Sequence, residues 1–442
     1  MSAPSGPAPR REIIAWALYD FANSAFATTI LAVIFQRYFI RSLGAPPSAW
    51  GYSISIATIF AAVLMPVLGA VCDYTAAKKR WLRRFWMLGC LGAAALVLPA
   101  TWQSAAALFM LALIGFEAST AIYNGFLPEI APGKESTRIS SFGWAFGYLG
   151  GGLHLGVALV IISKPQWFGL DGRSIAPVRI ALGSVGIWWF LFSLPTFLHL
   201  KERAVPRPVP AGQGLVGAGF RKVGLTLAGI RRVPTLAIFT LAFLLFSDAI
   251  QTVIVMSSTF GERVLGIGDQ EMILCFLMIQ GVAAVGAFSL GRLARAIGDK
   301  RTLILSLVVW CGAVGWGAMV GSRWEFWALG ALVGLVMGGT QAIARSMLAK
   351  FTPPSSAAEF FGFYSIVGKF ASALGPAMYS FILDLSRARA GEVGSFRIAS
   401  LSVGIFFVAG LIILLRVNEA RGVAEAEAEE RRLTAGAEGS QV

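Results

Sequence analysis

Almost unbroken apolar runs fill this chain, each about 20 residues long, and as helix a run of that length crosses the ~30 Å hydrocarbon core of a bilayer. Twelve spans are predicted, near 13–39, 50–71, 83–101, 104–127, 139–163 and 178–200, then 233–257, 270–291, 302–321, 325–349, 360–384 and 397–416. The longest polar stretch, Lys201–Arg232, separates the two sets of six. The expected organisation is a disordered tail (1–12), a six-helix bundle (13–200), a linker (201–232), a second bundle (233–418) and a second tail (419–442). Met1–Pro9 is Pro/Ser/Ala-rich and lacks the basic and apolar regions and cleavage site of a signal peptide. Glu and Arg clustered over 425–432 predict a solvated helix or disorder at the other end.

Composition narrows the class. With 56% hydrophobic and only 14% charged residues, a soluble domain could not cover its own surface. The fold class is an all-α membrane protein with twelve transmembrane helices. Charge then sets orientation: with the amino terminus in the cytoplasm, 26 of the 37 Lys and Arg fall on the cytoplasmic side, ten on the other and Lys369 within a span. The basic balance therefore reads as positive-inside topology and contact with anionic lipid, and nucleic acid is not expected as a partner. Cys72, Cys90, Cys275 and Cys311 have no paired spacing, and two histidines are too few for a metal cluster. His154 reads as a packed helix residue and His199 as an interfacial one.

The two halves resemble each other. Gly69 and Gly291, 222 residues apart, each open a short basic loop, Gly69 to Arg80 and Gly291 to Arg301. A shift of 221 lays Leu127, Glu129, Pro132, Arg138 and Gly147 on Leu348, Lys350, Pro353, Glu359 and Gly368, with the charges at two positions exchanged. Two parallel six-helix repeats related by an axis along the membrane normal are an architecture of secondary transporters.

The glycine-opened basic loops resemble the signature of the major facilitator superfamily. Four further segments resemble one branch, the vacuolar amino-acid effluxers of autophagy and their bacterial relatives: Tyr19 to Phe26, Tyr123 to Glu129, Gly338 to Ser346, and Phe361 through Lys369 to Pro376. The likeness runs from about residue 12 to 418. Departures are Ala76 where the loop pattern has a second Gly, Arg295 where it has an acid, and Ala249 where the branch tends to Gly. The resemblance implies cavity-lining roles for spans 1, 4, 7 and 10, and an amino acid as substrate.

Carboxylates and amides inside a span are costly in hydrocarbon and must face a bundle interior or a wet cavity. Trp16-Ala17-Leu18-Tyr19-Asp20-Phe21-Ala22-Asn23 in span 1 is such a segment. The candidate substrate and coupling residues are Tyr19, Asp20, Asn23, Glu117, Asn124, Asp248, Gln251, Gln341, Arg345 and Lys369, with Glu117, Asp248 and Lys369 as the central charges. A desolvated carboxylate favours its protonated form, which motivates proton coupling; sodium coupling or uniport stays open. Candidate gating residues at the loops are Asp73, Lys78, Arg80, Glu129, Arg138, Lys350 and Glu359, with Glu129–Arg138 and Lys350–Glu359 as possible pairs. Exposed pairs contribute only ~0 to 1 kcal/mol, so they would bias a conformational equilibrium without driving it.

Enzyme chemistry finds no motif: Gly362 to Lys369 has one residue too many for a phosphate loop, and no nucleophile elbow or metal helix is present. No cofactor is expected. The sequence reads as a monomeric secondary transporter of a small polar metabolite, in a bacterial inner membrane or, in a eukaryote, a vacuolar one, with both termini cytoplasmic. Peptides, cell-wall fragments, other organic anions, or a transport-dead receptor of the same fold are the alternatives.

Overall fold

The computed structural model describes residues 8–130, 135–203, 233–352 and 372–439, with positions 214, 217, 220, 221, 224 and 368. The first six helices are α1 (Arg10–Ala25, continued by further turns to Ser42), α2 (Pro47–Thr75), α3 (Lys78–Ala95), α4 (Trp102–Asn124), α5 (Glu135–Ser163) and α6 (Ala176–His199). The second series is α7 (Pro234–Leu265), α8 (Asp269–Ile297), α9 (Asp299–Met319), α10 (Arg323–Lys350) and α11 (Leu374–Arg416), followed by α12 (Glu419–Gly439).

Among the described residues, ten helices are long and apolar enough to cross a membrane. α11 is two helices joined at Gly391, where φ is 67°, so it carries the end of predicted span 11 and all of span 12. α3 falls outside the ten; its first two turns hold Lys78, Lys79, Arg80, Arg83 and Arg84. The first part of span 11, residues 360–371 apart from position 368, lies outside the described residues.

The first tail departs from expectation in part, and the helix expected at the other end is present with contacts of its own. Helix α1 begins at Arg10, inside the segment expected to be disordered, because Glu12 is buried and clamped: Arg203 donates to its two oxygens at 2.6 and 2.7 Å and the Lys201 amide at 3.0 Å. Helix α12 is likewise docked. The Thr235 amide at the start of α7 donates to Glu425 at 2.8 Å, and a methyl on Gly422 would meet Phe351 at 2.7 Å.

Glycines set how closely helices approach. In α5, the stripe Gly143, Gly147 and Gly151 faces Trp16, Ser24 and Thr28 of α1, and a methyl on Gly150 would lie 2.0 Å from the Phe21 carbonyl oxygen. In the second series, Gly334 and Gly338 of α10 face Ile279 and Ala283 of α8, and a methyl on Gly286 would lie 2.0 Å from the Leu335 carbonyl oxygen. Small residues let backbones pack at this range in lipid, where dispersion and not the hydrophobic effect holds helices together.

The repeat extends to individual bonds. Arg179 at the start of α6 donates to the Pro99 carbonyl at 2.7 Å, and Arg397 donates to the Val320 carbonyl at 2.7 Å; Pro99 and Val320 are 221 residues apart. Leu200 and Val417, which end α6 and α11, are both buried and extended, with ψ of 125°.

The chain divides into two compact units. The first comprises Met1–Gly219 with Val255–Glu262 and Gly266–Leu277; the second comprises Phe220–Ile254, Arg263–Leu265 and Met278–Val442. The tip of the α7–α8 hairpin thus belongs by its contacts to the first unit, although by sequence it lies in the second repeat.

Candidate substrate, coupling and gating groups

In the first unit the polar segment of α1 is packed against α4. Tyr19 is fully buried and stacks on Tyr123 with ring centroids 4.7 Å apart, and Trp16 stacks on the same ring at 4.7 Å. The Asn23 amide donates to the Thr120 hydroxyl at 3.3 Å, so Asn23 ties α1 to α4 from a position only 3% exposed. Asp20 is half-buried on the α5 side of α1: a methyl on Gly143 would come 3.3 Å from its carboxylate. Glu117 is buried, seven residues from the end of α4, which sets it about 11 Å along the helix. Asn124, expected on the face of Glu117, is exposed at the last residue of α4.

The first unit also holds a satisfied histidine. His154 is fully buried between the Thr29 hydroxyl at 2.9 Å and the Ser184 hydroxyl at 3.1 Å, edge-on to Trp188. His199 lies 3.1 Å from an Arg11 nitrogen.

The second unit holds the more exceptional acid. Asp248 sits 14 residues into α7, about 21 Å from Pro234 and 26 Å from Leu265, and is 2% exposed. Neither of its oxygens makes a well-formed hydrogen bond among the described residues, the Gly375 amide being the donor beside it. Thr252, one turn on and also buried, directs its hydroxyl to the Asp248 backbone carbonyl at 2.8 Å. Gly375 explains the closeness of α11: a methyl there would sit 2.0 Å from the Thr252 hydroxyl and 2.9 Å from both Asp248 oxygens. Gln251 is exposed, whereas Asp248 is buried; Gln341 is half-buried and Arg345 exposed on α10. Lys369, named as a central charge, lies outside the described residues.

At the basic loops, Ala76 ends α2 in the left-handed region, with φ and ψ both 46°, and is the one non-glycine with positive φ among the described residues. The corresponding Gly298 also has positive φ, 93°. Lys78, at the start of α3, donates to Glu129 at 2.6 Å and to the Gly125 carbonyl at 3.2 Å, and Glu129 also accepts the Arg203 amide at 2.7 Å. Lys350 bonds Asp299 at 2.7 Å and Glu419 at 3.2 Å, and the neighbouring Asp299 holds its ammonium above the usual lysine range. Adding 221 to Lys78 and Glu129 gives Asp299 and Lys350, so one ion pair occurs twice with its polarity reversed.

The described partners add to those expected. Glu129 pairs with Lys78, and Lys350 with Asp299 and Glu419, while Glu359 and the side chains of Arg138 and Asp73 lie outside the described residues. Arg80 is exposed. A loop charge meets the helix packed beside it, which only the fold identifies. Sequence reasoning also missed Arg37, an arginine near the end of a span that the folded chain buries.

The sequence model of the family described as "Vacuole effluxer Atg22 like" matches residues 45–427. An uncharacterized MFS-type transporter of Bacillus subtilis, YxiO, is 30% identical over 413 residues, covering 91% of this chain and 94% of that one. Autophagy-related protein 22-1 of Penicillium rubens is 28% identical over 66% of this chain; the match spans 51% of the fungal protein. Among solved structures, a mutant of the nucleoside transporter NupG superposes with a TM-score of 0.71 at 14% identity, covering 92% of this chain and 99% of that one. A bacterial homologue of the human lysosomal transporter Spinster gives 0.60 at 16% identity, covering 92% and 97%. The fold is that of the twelve-helix major facilitator transporters, and the chain belongs to the Atg22-like family of MFS-type transporters.

Proposed function

We propose that this transporter moves an amino acid or a closely similar small polar metabolite by alternating access, and that Asp248 carries the coupling proton. The observation that supports this most directly is a mid-span carboxylate, 2% exposed, with neither oxygen well bonded among the described residues. Holding a bare charge in such a place is costly, and taking up a proton removes that cost. Sodium is the weaker candidate, because it needs a cage of oxygen ligands, and the Thr252 hydroxyl, the neighbour described beside the carboxylate, is already donated to the backbone.

Glu117, Tyr19 and Asn23 on the first unit, and Gln341, Arg345 and Lys369 on the second, are the proposed substrate groups, with a cation engaging the substrate carboxylate. Efflux draws support from the family description, and an amino-acid cargo from the resemblance noted at Tyr19 to Phe26 and Gly338 to Ser346. The positive-inside asymmetry supports both termini in the cytoplasm, and the Bacillus relative a bacterial plasma membrane. Six-helix bundles at 13–200 and 233–418 joined by the linker 201–232 would be the moving bodies.

The test is counterflow in proteoliposomes preloaded with single unlabelled amino acids. Accumulation of labelled amino acid well above protein-free vesicles supports the cargo class. Counterflow of peptides, cell-wall fragments or other organic anions, with none of any amino acid, would replace it.

A further inference from the structure

Arg37 lies 26 residues beyond Arg11, roughly 39 Å along α1 and so at the opposite end of the membrane. It is 3% exposed, yet it is not left to pair with lipid headgroups. Its guanidinium donates to Glu262 at 3.2 Å, to the Ile267 carbonyl at 2.8 Å and to the Gly268 carbonyl at 3.0 Å, and pairs with Asp269 at 2.9 Å. One planar fork therefore grips both ends and the middle of the α7–α8 turn.

Two neutral bonds flank it: the Trp50 indole donates to the Val255 carbonyl at 3.0 Å and the Ser258 hydroxyl to the Val33 carbonyl at 3.0 Å. Every one of these contacts lies inside the first unit, although residues 255–269 belong by sequence to the second repeat. The ion pairs at the loops do the opposite, since Lys78–Glu129 and Asp299–Lys350 each join helices of one repeat.

The arginine has no repeat counterpart. The position 221 residues on is Ser258, whereas the Lys78, Glu129 and Pro99 positions reproduce their bonds. α1 is also irregular around it: π-helical turns cover Phe26–Val33 and Tyr38–Ser42, and Arg37 ends the single α-turn between them. Local π geometry frequently marks functional sites. A small cavity of ≈ 30 Å³ lies beside the fork, lined in part by Arg37, Tyr38, Arg41, Asp269 and Ile273.

We propose that Arg37 is a latch that holds the α7–α8 hairpin tip onto α1, and that its release is a required step of the transport cycle. The second clause rests on the alternating-access reading; the first does not. Lysine cannot replace the fork, because a point charge does not reach two carbonyls and two carboxylates at once.

Cys275, fully buried six residues past Asp269, is a native reporter of the hairpin, and Cys90, buried in α3, a control away from it. Single-cysteine proteins keeping one or the other, in nanodiscs, are reacted with a water-soluble maleimide; no substrate is needed, so failure here is distinct from a wrong cargo. With Arg37→Gln, Cys275 is expected to react about tenfold faster while Cys90 does not change, the shift that loss of a charge-assisted bond gives to a two-state opening. Asp269→Asn, half as buried and gentler on folding, should move Cys275 the same way by a smaller factor. Unchanged Cys275 rates in both variants, or Cys90 rising in parallel, would overturn the latch. With labelling as expected, unimpaired counterflow in a protein whose hairpin tip is tied to α1, by a disulfide between Val33→Cys and Ser258→Cys where the two elements already meet, would overturn the requirement for release; loss of counterflow that returns on reduction is the expected result.

Discussion

Ala76 shows how much one backbone conformation can say. A left-handed residue with a Cβ costs about 1 kcal/mol relative to glycine, and the equivalent loop of the second half has Gly298. The departure from the family pattern noted in the sequence is therefore a strained residue in the fold. Ala76→Gly is expected to stabilise the detergent-solubilised protein by about 1 kcal/mol, seen as a rise in thermal midpoint; a lower midpoint would show that the glycine's extra freedom in the unfolded chain outweighs the strain. Residue-level reading succeeded where burial alone decides, as at Asn23, Glu117, Asp248 and His154, all buried as apolar spans require. Gln251 and Asn124, which helical spacing places on the faces of Asp248 and Glu117, are exposed. Arg37 was illegible because its partners are 225 to 232 residues away in the chain, and a lone arginine near a span end reads as an interfacial anchor.

Between elements, the twice-used ion pair is the informative object. Lys78–Glu129 fastens the start of α3 to the turn after α4, and Asp299–Lys350 fastens the start of α9 to the end of α10, with the signs reversed. The fold therefore tolerates either polarity at this joint. Lys78→Glu and Glu129→Lys singly are expected to destabilise by about 2 kcal/mol each, since each leaves a partly buried charge facing its like. The double variant should recover at least half of the summed loss. Recovery will be incomplete, because Lys78 also serves the Gly125 carbonyl and Glu129 the Arg203 amide. No recovery in thermal unfolding would mean that polarity is fixed by those backbone partners. The reversed charges were visible in the sequence at Glu129 and Lys350; the other member of each pair was not, because loop charges have several neighbours within reach and only helix packing chooses one. The same holds for α12: its charged face suggested solvent, and the docking of Glu425 and Gly422 depends on a surface made by α7 and α10.

At the scale of the molecule, membrane character and helix count were legible because the bilayer forces each span to be long, apolar and helical. The repeat was legible because duplicated loops keep their glycines and basic residues. Cargo and coupling were not, since transporters of one fold differ in a few side chains at the cavity, and those side chains are set by distant parts of the chain: Asp248 is met by Gly375, 127 positions later. The central claim is that substrate movement carries a proton through Asp248. It is tested most directly with a pH dye trapped in proteoliposomes, adding the amino acid found by counterflow with no initial pH gradient and following lumenal pH in wild type and Asp248→Asn. The account predicts a substrate-driven pH change in wild type, and counterflow without any pH change in the variant. A pH change of equal size in Asp248→Asn, or substrate movement in wild type with no pH change, would contradict it.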